Sequence, residues 1–137
     1  RATVDLRHFI PLGFEHVLAL QALGRSNSGQ VPFYDLALMG GRRMMRGIYE
    51  GRLRDRHLLA FQAEYRLPVW WRFGLAAFAA TAQVGDTLGD LDFRRSRFTG
   101  GGGLRFAISE PSRLNARIDV GASREGAKFY FTFNEAF

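Results

Sequence analysis

Apolar and polar residues alternate with a period of two through most of the chain, and seven such runs predict strands at 3–10, 16–24, 57–67, 73–83, 97–108, 113–122 and 128–137. In the third run Leu59, Phe61, Ala63, Tyr65 and Leu67 share one face, while Gln62, Glu64 and Arg66 share the other. In the sixth, Leu114, Ala116, Ile118 and Val120 oppose Asn115, Arg117 and Asp119. One face is therefore apolar and the other carries charge. The runs are close to the roughly 9 to 11 residues with which a tilted strand crosses a bilayer. A helix over 75–82 is compatible with the alanines there, but the strands on either side argue against it.

The connections carry a second pattern. Short turns at 11–15, 68–72 and 109–112 each contain a proline, and they alternate with long connections at 25–56 and 84–96 and a shorter one at 123–127. Up-and-down strands place alternate connections at opposite ends, so one end is short and the other rich in loops. Transmembrane barrels have this asymmetry, with short periplasmic turns and long extracellular loops. Trp70 and Trp71 then stand at a membrane interface, where amphipathic aromatics gather. A soluble barrel with an apolar interior gives the same alternation with its faces exchanged. The recurrent charge on the polar face, the unequal loops and the aromatic end favour the membrane. The fold class read from the sequence is all-β: an antiparallel up-and-down transmembrane β-barrel of about seven or eight strands.

Composition narrows the picture further. With 137 residues the chain is one domain, and 47% hydrophobic and 14% aromatic content excludes disorder. Sixteen glycines against four prolines favour tight turns and close-packed strands. No run reaches the roughly 18 apolar residues of a transmembrane helix, so spanning falls to strands. The absence of cysteine removes disulfides and thiolate chemistry. A net charge of +6 admits nucleic acid, an anionic membrane surface or a basic lumen as its reason. The start at Arg1, without an apolar leader, reads as a mature protein or an excised fragment.

Catalytic motifs are missing. The histidines are His8, His16 and His57, the serines lie mostly in loops and turns, and neither a Gly-x-Ser-x-Gly elbow nor a His-Glu-x-x-His zinc motif occurs. The segment 86–92 has three aspartates but lacks the spacing and final Glu of a calcium loop. The Gly100–Gly103 run lacks the helix start and Lys-Ser/Thr of a phosphate cradle, and reads instead as bare strand backbone against which the long loop packs. Arg42, Arg43, Arg46, Arg52, Arg54 and Arg56 are distributed along that loop, and others over polar-face positions, instead of gathering on one patch, which argues against nucleic acid and for anionic lipid headgroups or internal pairing. The reading is a protein that is no enzyme and needs no cofactor or metal.

The long loop contains Leu38-Met-Gly-Gly-Arg-Arg-Met-Met-Arg-Gly-Ile-Tyr-Glu-Gly51. This resembles the signature of the Omp85 superfamily of bacterial outer-membrane barrels, in which a Gly-Gly pair, here Gly40 and Gly41, precedes a hydrophobic-Arg-Gly-aromatic tetrapeptide. Here the tetrapeptide is Met45-Arg46-Gly47-Ile48, with the aromatic one place later at Tyr49. The run 57–68 with Glu64-Tyr65-Arg66 and its closing Pro68, Asp5-Leu-Arg7, and Gly101 to Arg105 also resemble the family. The last strand places Phe129, Phe131, Phe133 and Phe137 on one face and looks like the signal by which assembly machinery recognises such barrels; the plainer reading is an ordinary final strand. The resemblance implies a C-terminal part of a barrel of about 16 strands at the bacterial outer membrane, acting in insertion, assembly or translocation of outer-membrane proteins. Its partners would be outer-membrane lipid, client proteins, and other assembly subunits or a second copy. It also implies that the loop folds into the lumen, where Arg46 binds an acidic wall residue, for which Glu64 is the best partner. The family's second acid, in a Phe-x-Asp pattern on the next strand, has no equivalent in Phe78-Ala-Ala80. A solvated Arg46 in a mobile loop is the alternative for the motif, and a small non-catalytic barrel serving as a structural or binding module is the alternative for the whole.

Overall fold

The computed structural model describes residues 1–109 and 114–133. They form nine strands: β1 (Ala2–Gly13), β2 (His16–Ser26), β3 (Ala37–Met39), β4 (Leu53–Asp55), β5 (His57–Trp70), β6 (Phe73–Gly85), β7 (Arg97–Ser109), β8 (Leu114–Ser123) and β9 (Gly126–Phe133). Seven make one antiparallel sheet in the order β1-β2-β5-β6-β7-β8-β9, and β3 and β4 pair separately within the long loop. All seven expected long strands are present. The sheet is open: β1 and β9 are its two edges and are not paired with each other. A closed barrel is therefore not what these residues form by themselves. Because each neighbour reverses direction, β1 and β9 run the same way.

The hairpin turns are tighter than the sequence suggested, because the strands run on through the prolines. Pro11 and Pro68 each sit inside a strand next to a register shift, where a missing N–H is tolerated. The turns themselves are Phe14–Glu15, Trp71–Arg72 and Arg124–Glu125. Phe14 and Glu15 both take positive φ, at 50° and 63°, the shape that matches the twist of the flanking strands. The turn sought at 109–112 lies largely outside the described residues, as does Phe137.

The register assigns every strand residue to one of two faces. On the outer face lie Val4, Leu6, His8 and Ile10 of β1, then Leu18, Leu20 and Ala22 of β2, and Leu59, Phe61, Ala63, Tyr65 and Leu67 of β5. The same face continues through Leu75, Ala77 and Ala79, then Phe98, Gly100, Gly102, Leu104 and Phe106, to Ile118 and Val120, and ends on Phe129, Phe131 and Phe133. None of these side chains carries a formal charge, and many of the large ones are exposed, Phe129 at 78% and Leu104 at 54%. The inner face, against which the long loop packs, holds Asp5, Arg7, Gln21, Gln62, Glu64, Arg66, Arg105, Arg117 and Asp119. The buried core is thus on the charged side of the sheet. There Ala37, Met39, Met45 and Ile48 of the loop pack on Leu58, Ala60, Ala80 and Ala82. That cover explains why β6 is apolar on both faces.

Candidate functional site

The tetrapeptide 45–48 is a tight turn. Ile48 N–H donates to Met45 O at 3.1 Å, and Met45 and Gly47 take φ of 57° and 113°. Gly41 N–H closes back on Ile48 O at 3.0 Å, and a Cβ on Gly40 would lie 2.5 Å from Tyr49 O. The Gly-Gly pair is required because the chain returns on itself there.

The turn drives Arg46 into the inner face, where the residue is 1% exposed. Its Nη2 donates to Glu64 Oε2 at 2.5 Å and its Nη1 to Asp119 Oδ2 at 2.7 Å. Arg117 from β8 spans the same two carboxylates, reaching Glu64 Oε1 at 2.8 Å and Asp119 Oδ1 at 3.0 Å. Arg66 Nε adds a bond to Glu64 Oε1 at 2.7 Å. Two carboxylates and two guanidiniums form a ring, with Arg66 joined to its edge. The Phe78 ring lies 3.5 Å from the Arg46 guanidinium carbon, so the plane of the cation rests on an aromatic face. Such a cluster is tolerated away from water because each of the four carboxylate oxygens has a charged donor.

Backbone contacts fix the turn against the wall. Gly47 N–H donates to Tyr130 Oη at 2.8 Å, and Ser123 Oγ donates to Gly47 O at 3.0 Å. A Cβ on Gly121 would stand 2.5 Å from the Arg46 carbonyl carbon, and one on Gly47 3.0 Å from the Ala122 carbonyl carbon. The loop and β8 therefore meet where neither has a side chain. Tyr49 is 69% exposed, with Lys128 Nζ 3.3 Å from its ring centre.

Arg46 and Glu64 come together as the sequence reading expected. The following strand carries no second acid, and a second carboxylate, Asp119, comes from β8. Nothing in the Phe-x-Asp pattern pointed there, although Asp119 already stood on the polar face of its strand. Phe78 supplies the stacking surface instead of an acid. The atoms nearest to Cβ positions on Gly100–Gly103 belong to neighbouring strands. Gly103 makes room for Asp119 Oδ1 and Gly101 for the Phe78 ring, while Gly121 receives the loop. Phe129, Phe131 and Phe133 line the outer face of the β9 edge, away from this cluster.

Among the described residues no helix is long and apolar enough to cross a membrane; that statement does not extend to strands. No protein-family model and no curated protein matches the chain.

Proposed function

We propose that the chain is a strand-built segment of the bacterial outer membrane, of the Omp85 kind, that acts in the insertion, assembly or translocation of outer-membrane proteins. The observation that carries this reading is Arg46: a Gly-Gly…Arg-Gly loop buries its arginine between two wall carboxylates behind a sheet whose opposite face is uncharged among the described residues. In a soluble barrel the apolar face would be the packed interior. Here the loop and the core occupy the charged side, and the uncharged side is left for hydrocarbon. Trp70 and Trp71, exposed at the short-turn end, suit the headgroup level.

The chemistry needed is non-covalent. The edges β1 and β9 present backbone N–H and C=O groups in rows, and an entering strand satisfies its own by pairing with them. The buried cluster holds the loop against β5 and β8 while an edge exchanges partners. Outer-membrane lipid and unfolded client barrels are the partners; no cofactor takes part.

Reconstitution tests the proposal. The native protein is placed in liposomes, a urea-unfolded client barrel is added, and its folding is followed by the mobility difference between boiled and unboiled samples. Faster folding than in empty liposomes, diminished by Arg46→Ala, is expected. A protein that inserts but leaves client folding at the empty-liposome rate would instead be a structural or binding module.

A further inference from the structure

We propose that the cavity at the loop-rich rim, between residues 94–98 and the 123–125 turn, binds the phosphomonoester headgroup of an outer-leaflet lipid. The proposal rests on the membrane reading above, because it takes the outer face of β7 as lipid-facing. The cavity is about 470 Å³ and is lined by four arginines, Arg94, Arg95, Arg97 and Arg124, with Ser96, Ser123, Ile48 and Phe98. Among the described residues its one lining carboxylate is Glu125, whose Oε1 is held by Arg52 Nε at 2.9 Å and whose Oε2 is buried without a hydrogen-bond partner.

The acids nearest in sequence are also engaged locally. Asp90 accepts from Thr87 N–H at 3.1 Å and Thr87 Oγ1 at 2.8 Å, and Asp92 Oδ1 accepts from Arg94 N–H at 3.0 Å. The Thr87 bonds, with a smaller contribution from Arg95 of the cavity lining, hold the Asp90 carboxyl below its usual range. The cavity thus concentrates guanidiniums in excess of the acids beside them, a field that attracts an anion. A guanidinium fork matches phosphate oxygens two at a time.

Position distinguishes a lipid from free phosphate. Phe98 belongs both to the lining and to the outer face, where it is 68% exposed. Directly along that face the paired residues Gly100, Ala122 and Ala127 are small. The cradle, whose Arg97, Ser123 and Ile48 lie on the loop side of the sheet, meets the outer face at Phe98 beside a low apolar wall, an arrangement suited to a charged head with an acyl chain attached.

The test uses the native protein in phosphatidylcholine vesicles. Quenching of Trp70 and Trp71 by brominated phosphatidylcholine reports insertion from the opposite end of the sheet, independently of the cavity. Absence of quenching would overturn the membrane reading, and this proposal with it. With insertion established, an acyl-labelled diphosphoryl lipid A is titrated beside its fully dephosphorylated form and inorganic phosphate. The diphosphoryl lipid should bind most tightly, and Arg94→Ala/Arg124→Ala should weaken it about 25-fold, at about fivefold per arginine, with tryptophan quenching unchanged. Equal binding of the dephosphorylated lipid would overturn the phosphate assignment. Inorganic phosphate binding as tightly as the lipid would overturn the lipid assignment, and undiminished binding by the double variant would overturn the site.

Discussion

Replacing Arg46 with alanine tests the cluster most directly, and the structure sets the size of the effect. Removing one partner of a buried ion pair costs roughly 3 to 5 kcal/mol when the other charge is left alone. Neither carboxylate is left alone here. Glu64 keeps Arg66 and Arg117 at 2.7 and 2.8 Å, and Asp119 keeps Arg117 at 3.0 Å. The loss is therefore smaller, about 2 to 3 kcal/mol, and includes the stacking on Phe78, itself worth about 1 to 2 kcal/mol in a desolvated site. That energy is lost chiefly from docking of the loop, since the strand pairings of the sheet do not involve Arg46. Limited proteolysis with trypsin reads it, because Arg42 and Arg43 lie exposed in the loop just ahead of the buried turn. If cleavage follows the undocked population, the rate should rise about 30- to 150-fold, at tenfold per 1.4 kcal/mol. The heat-dependent mobility of the folded protein should change little. Cleavage at the wild-type rate would show that the ion cluster does not hold the loop.

The same geometry makes Glu64→Gln more damaging than Arg46→Ala, because three guanidiniums then crowd a neutral group; urea denaturation in liposomes should show a loss of about 3 to 5 kcal/mol, and equal midpoints for the two variants would contradict the ring. Gly121→Ala forces a methyl toward the Arg46 carbonyl and should loosen the loop by about 1 to 3 kcal/mol in the trypsin assay, whereas Gly24→Ala, with nothing within 4 Å of the added carbon, should be silent. On the outer face, Leu104→Arg should impair insertion by about 2 to 4 kcal/mol as measured by partition between urea-unfolded and liposome-folded protein. Unimpaired insertion, or a gain in aqueous solubility of the folded chain, would favour the exchanged-face soluble barrel.

The strands were legible because a half-buried strand needs a repeat of two and these seven satisfy it over long stretches. Leu59 to Leu67 alone separates the faces of β5. Glu64 was legible as a partner for Arg46 because it stands on the charged side of the strand that follows the loop. Asp119 was not, since its distance from Glu64 along the chain hides the closeness produced when β6 and β7, which carry Phe78 and the glycines 101 and 103 at this level, narrow the space between β5 and β8. The strands β3 and β4 were missed because three residues give no measurable alternation, and their pairing depends on the turn that Gly40, Gly41 and Gly47 allow. Small residues were read as markers of bare backbone, but sequence alone did not tell which bare stretch faces the loop.

The common direction of β1 and β9 imposes a rule of parity. Two copies standing side by side with their loops at the same end would meet β1 to β9 in a parallel seam, unlike every pairing already present in the sheet. Antiparallel closure instead requires an odd number of added strands, so that the ring as a whole is even, as bacterial barrels usually are. A single inserted strand satisfies that count, and a second identical sheet of seven satisfies it only with its long loops at the opposite end.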